Sequence, residues 1–238
     1  MVTCNFNEGI EDTNINRINP IASDILDRKL EGCLKRQWGC LGLPSGCIQT
    51  KNCKMLATYH AAKGSGDVTF SLTGKVDIKE YLAIGLSTDD KMGDDGVVFC
   101  YNEHPNIGMS WNWKGSYGPG STIIDNKNVI LKNTYHTYVD HWLFCEFTLM
   151  KETRIIIPTQ GRKSMRTEYI DLDQPYYLQL ANGGIANGRL GYHGSNNKIT
   201  TQEEIYLDSR IVYSIVVICF GMNIKYNIRF ILVVLVVL

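Results

Sequence analysis

DVTFSLTGK, residues 67–75, decides the fold. Val68, Phe70 and Leu72 alternate with Thr69, Ser71 and Thr73, and a period of two puts the first set on one face of a strand and the second on the other. The segment therefore reads as a half-buried strand with its hydroxyl side chains toward water. Working outward, comparable short runs follow at YLAIGLS (81–87), GVVFCY (96–101), IGMSWNW (107–113), NVILK (128–132), WLFCEFT (142–148), YYLQLA (176–181), RLGYH (189–193) and EEIYL (203–207). With the stretch before Val68 they make about ten strands, divided by Gly, Asn and Asp turn signals. No helical run of comparable length separates them. The predicted fold class is all-β, an immunoglobulin-like antiparallel β-sandwich.

Composition agrees with that reading. Twenty-two glycines and thirteen tyrosines suit strands and turns, and 44% hydrophobic residues in 238 are enough for one sizeable core. Lysine plus arginine equals aspartate plus glutamate at 24 each, so no net field steers the chain toward nucleic acid. Eight cysteines without a C-x-x-C pair favour an oxidising compartment. Four of them crowd into GCLKRQWGCLGLPSGCIQTKNCK (32–54), where Cys33, Cys40, Cys47 and Cys53 suit local disulfides better than a zinc knuckle, with the pairing open. Cys100 and Cys145 lie in strand-like runs and either bridge neighbouring strands or stay buried thiols.

Three regions are expected: a polar, loosely ordered leader over 1–30, a domain over 31–208, and an apolar tail over 209–238. The polar start lacks the apolar stretch of a secretory signal, which reads as a fragment or a misplaced start codon. In the tail, IVYSIVVICFGM and FILVVLVVL are each shorter than the ~18–20 residues that span a bilayer. Taken as one span they would bury Lys225 and Arg229. A last strand with an irregular end and an incomplete membrane segment both stay open.

Chemistry concentrates in two turns. In STDDKMGDDGVVFC (87–100), Met92 stands among Asp89, Asp90, Asp94 and Asp95. A thioether there serves neither packing nor solubility, whereas it is a known axial ligand of haem iron. The plainer alternative is a solvated acidic turn; the spacing fits an EF-hand loop poorly. In GRLGYHGSN (188–196), His193 differs from His60, His104, His136 and His141 in having Gly191 and Gly194 close by, which leave room for a flat macrocycle. The chain has no G-x-S-x-G, H-E-x-x-H, P-loop or G-x-G-x-x-G pattern. The absence of C-x-x-C-H means that any haem would be held without thioether links, as haem b.

GCLGLPSGC followed by NC, DVTFSLTG, YLAIGLSTDDKMGDDGVVFC, and DLDQPYYLQLANGG with GRLGYHG together resemble the DOMON domain of ferric-chelate reductase-like proteins, from about Cys33 to Leu207. The resemblance implies an immunoglobulin-like sandwich and, in the haem-binding members, one methionine and one histidine as axial ligands; the matching positions are Met92 and His193. It further implies an extracytoplasmic electron-transfer module, because six-coordinate iron leaves no open position for a reactant. Phe70, Leu86, Trp111 and Tyr176 are candidate pocket walls by strand position. A transmembrane cytochrome or an external metal chelate is the expected electron partner, with membrane association through the tail. No flavin or nicotinamide site is present, so a complete reductase is not expected. The alternative is a haem-free DOMON module for ligand binding or protein interaction.

Overall fold

A strand forms where alternate residues can be buried, and the computed structural model shows which faces find cover. It describes residues 22–91, 93–102, 106–113, 121–125, 131–159, 164–186 and 189–207. One sheet runs in the order β1 (Gly39–Leu43), β2 (Met55–Ala61), β3 (Val68–Lys75), β9 (Trp142–Leu149), β8 (Lys132–Val139). The other runs β13 (Arg189–Leu190), β12 (Tyr177–Ala186), β4 (Glu80–Ser87), β5 (Asp95–Tyr101), β6 (Ile107–Asn112), β7 (Ser121–Ile124), with β14 (Lys198–Thr200) also paired to β12. Every one of these pairings is antiparallel, and the fold is an all-β sandwich.

Between the sheets lies the core. Met55, Phe70, Leu72, Leu143 and Phe147 from one side meet Leu82, Ile84, Val98, Met109 and Leu180 from the other. Phe70 and Phe147 stack at 5.5 Å. Each such side chain, fully removed from water, contributes about 1.5–3 kcal/mol. Cys100 and Cys145 are bonded, and since β5 and β9 belong to opposite sheets this bridge crosses the core instead of joining neighbouring strands.

A separate ribbon, β10 (Glu152–Pro158) paired with β11 (Met165–Asp171), closes one side of the sandwich. Its Ile155, Ile157 and Ile170 enter the core, and a Cβ on Gly96 would stand 2.7 Å from Ile170, so the ribbon packs directly on β5.

The outer face of the first sheet corrects two expectations. Ser71 and Thr73 are 7% and 2% exposed, not turned to water. The cover is α1 (Ala22–Leu34), whose Leu30 packs with Leu56, Cys47 and Cys53 and whose Lys29 reaches Glu146 at 3.3 Å. Cys33–Cys40 fastens this helix to β1, and Cys47–Cys53 fastens the short α2 (Cys47–Thr50) to the segment that leads into β2. Residues 22–30 thus belong to the folded unit and not to a polar leader, the helix having been obscured by its mixed polar surface. Residues 1–21 and the tail at 209–238 lie outside the described residues. Among the described residues, no helix is long and apolar enough to cross a membrane.

Candidate functional site

The second sheet carries a different outer face. Its register lays Gln179, Gly85, Val97 and Ser110 in one row across β12, β4, β5 and β6, with Ala181, Ala83, Phe99 and Gly108 in the next. Small residues alternate with Val97 and Phe99, and the floor is buried: Ala83 is 3% exposed, Phe99 1% and Ser110 0%. Part of the cover is β13, whose Leu190 packs on Tyr81, Ala83, Val97 and Phe99. Although β12 and β7 stand four strands apart, β13 pairs with β12 while Ser121 Oγ of β7 donates to the Leu190 carbonyl at 3.3 Å. The sheet therefore curls toward its outer side. Two buried polar atoms on the curled face, Ser110 Oγ and Gln179 Oε1, make no hydrogen bond among the described residues.

The segment after β13 brings in His193. Gly191 is fixed through both its peptide groups: its N–H donates to the Gly184 carbonyl at 2.8 Å and its carbonyl accepts the Tyr81 hydroxyl at 2.8 Å. A Cβ at Gly191 would sit 2.8 Å from the Gly184 oxygen, so glycine is required for that approach. Two residues on, His193 is 6% exposed and its Nδ1 lies 2.9 Å from the Gly194 carbonyl. A carbonyl only accepts, so Nδ1 carries the proton and Nε2 the lone pair. Burial, with the Lys198 charge, holds the imidazole pKa below its ordinary value and keeps the ring neutral at pH 7. The exposed Tyr192 ring lies 4.9 Å from that of His193.

At the other end of β4 and β12 is the turn between Ser87 and Asp95. Met92 lies outside the described residues, but the residues on either side of it are held by four side chains. The Lys91 carbonyl accepts Gln179 Nε2–H at 3.1 Å and has the Ser87 hydroxyl at 3.2 Å. The Lys91 N–H donates to Asp89 Oδ1 at 2.9 Å, and the Gly93 N–H to Asp95 Oδ2 at 2.7 Å. Gly93 and Asp94 both have positive φ, 127° and 62°, so the backbone reverses there. Asp95 is 3% exposed, and burial, outweighing its hydrogen bonds, pushes its carboxyl up to about 6. Arg166 of β11 braces the turn from outside: its guanidinium lies 5.0 Å from the Trp113 ring and 4.0 Å from Asp94.

Residues 51–183 match the DOMON domain. The chain belongs to the DOMON family. A ferric-chelate reductase 1-like protein of Drosophila melanogaster is 29% identical over 75% of this chain and 26% of its own length. Another from Danio rerio is 26% identical over 71% and 26%. The chain thus spans about a quarter of those two relatives. An uncharacterised Caenorhabditis elegans protein is 37% identical over 72% of this chain and 73% of its own. Among solved structures, the cytochrome domain of Myriococcum thermophilum cellobiose dehydrogenase is similar with a TM-score of 0.39 and 9% identity, covering 69% of this chain and 80% of that one. The three disulfides among the described residues and these relatives fit an extracellular or secreted-side DOMON domain.

Within this DOMON domain the sequence-predicted residues separate. His193 follows β13, the strand whose Leu190 covers the curled outer face. Phe70, Leu86, Trp111 and Tyr176 all lie in the core between the sheets. Leu86 points inward beside the outward Gly85, and Trp111 inward beside the outward Ser110. Tyr176 donates its hydroxyl to the Asp171 carbonyl at 3.0 Å, a contact that holds β12 to the ribbon. Sequence reasoning missed Tyr81, Ala83, Val97, Phe99, Ser110 and Gln179, which line the outer face. The signal was the same alternation: once Leu82, Ile84 and Leu86 are assigned to the core, period two puts Tyr81, Ala83 and Gly85 on the opposite side. Among the described residues, no three His, Cys, Asp or Glu side chains gather as a metal site.

Proposed function

We propose that the curled outer face of the β4–β12 sheet is an electron-transfer site that holds haem b, with His193 and Met92 as axial ligands. The observation that carries this reading is His193 itself: a buried, neutral imidazole whose Nδ1 proton is directed to a backbone carbonyl, the tautomer and orientation of a metal-ligating histidine. The residues present fit a flat, mostly apolar group. Gly85, Ala83 and Ala181 keep the floor low, Val97 and Phe99, whose ring fills the space over Gly108, supply apolar contact, and Ser110 Oγ is a buried hydroxyl in need of a partner. When bound, haem with a thioether and an imidazole supplies a one-electron couple without an open position for a reactant.

Each part of the chain then has a task. Gly191 and Gly194 bracket His193 with little bulk, Ser87, Gln179, Asp89 and Asp95 hold the peptides that flank Met92, and Val97 and Phe99 exclude water. On this reading the electron partner is a transmembrane cytochrome or an external metal chelate, the latter in keeping with relatives named as ferric-chelate reductase-like. The apolar tail would keep the domain near a membrane.

Reconstitution tests this. Folded, oxidised protein mixed with haem is expected to give a six-coordinate low-spin spectrum with a clear reduced-minus-oxidised difference, and His193→Ala is expected to abolish that coordination. A folded wild-type protein that stays colourless would overturn haem binding and turn attention to a haem-free ligand; an unchanged spectrum in His193→Ala would overturn the ligand.

A further inference from the structure

We infer that the Tyr81 hydroxyl is the positioning group for His193, so that a strand residue on the floor of the site sets the direction of the imidazole above it. This rests on the reading of His193 as a ligand. Tyr81 lies on the outer face of β4, is 4% exposed, and sends its one hydroxyl proton 2.8 Å to the Gly191 carbonyl. The Gly191 N–H is taken at 2.8 Å by Gly184 of β12. One peptide group on each side of Gly191 is therefore tied to a different strand of the sheet, and His193 follows after only Tyr192.

The surroundings are built for this contact. A Cβ at Gly183 would stand 2.8 Å from the Tyr81 hydroxyl oxygen, so the ring occupies the space that any side chain on β12 would take. Asn182 Nδ2 donates to the Tyr81 carbonyl at 3.0 Å, which fixes the backbone from which the ring projects. Burial raises the Tyr81 phenol to about 12, so the group remains a donor throughout the physiological range. A phenylalanine would fill the same volume and leave the buried Gly191 carbonyl without its donor. Gly191 would then keep the Gly184 tie and lose the one to β4, and the imidazole would sample more directions.

Tyr81→Phe is the test, with Tyr59→Phe on the opposite sheet as a control for the loss of any half-buried phenol. In haem-free protein, the His193 imidazole proton signals followed through a pH titration are expected to shift in Tyr81→Phe and to stay put in Tyr59→Phe. With haem, the dissociation constant of Tyr81→Phe is expected to rise about 2- to 10-fold, the worth of one hydrogen bond. Unmoved His193 signals in a folded Tyr81→Phe protein would overturn the inference, whatever its melting temperature does. Shifted His193 signals in Tyr81→Phe, together with a wild-type protein that takes up no haem, would keep Tyr81 as the positioning group and reject only the haem reading.

Discussion

The two turns that bracket the outer face are held by different chemistry. Ser87–Asp95 is fastened by side chains, two of them carboxylates, to peptides at Lys91 and Gly93. The Arg189–Gly194 segment is fastened by backbone contacts, a neutral phenol and a glycine that nothing larger can replace. The first arrangement responds to pH and the second to volume.

Asp95→Asn breaks the contrast most strongly. The folded carboxyl titrates near 6 against 3.8 for the ordinary group, so the folded state binds protons more tightly than the unfolded one. The contribution of Asp95 is therefore fully present below the unfolded value and is lost as pH rises through 6. The stability of the wild type relative to Asp95→Asn is expected to fall by about 3 kcal/mol between pH 3.5 and 8, from two pKa units at 1.36 kcal/mol each. Urea unfolding of both proteins across that range measures it, and parallel curves would remove pH from the first anchor.

Gly191→Ala tests the other anchor. With its Cβ against the Gly184 oxygen, backbone must shift, at a cost of about 2 kcal/mol that does not vary between pH 5 and 8. A cost that changed with pH would erase the distinction between the turns. Gln179→Met, which keeps the volume and deletes the donor to Lys91, should cost about 1 kcal/mol and speed amide exchange at Lys91 and Gly93. Unaltered exchange there would show that Ser87 alone suffices.

The fold was legible because Val68, Phe70 and Leu72 obey a period of two that only a strand satisfies. The ribbon at 152–171 was not, since its alternation is masked by Arg154, Arg166 and Glu168, whose charges read as loop. Nor was α1, which has few buried positions and is held by the Cys33–Cys40 disulfide and by the packing of Leu30. His193 stood out through its glycines. Leu86 and Trp111, expected as pocket walls by strand position, enter the core, and their neighbours Gly85 and Ser110 face the outer side of the sheet. Composition favours large apolar residues as walls, whereas a shallow cradle for a flat group needs small ones. Tyr81 and Gln179 act through partners distant in sequence, Gly191 and Lys91, which no local pattern reveals.

Cys100 follows Phe99 directly, so the bridge to Cys145 nails the floor of the outer face to the opposite sheet. Closing a loop of 45 residues removes about 4 kcal/mol of unfolded-chain entropy. Expression host therefore becomes a variable of function as well as of yield. Protein made in a reducing cytosol has a floor that is untethered from its scaffold, and a haem titration of it answers a different question from one of the oxidised form.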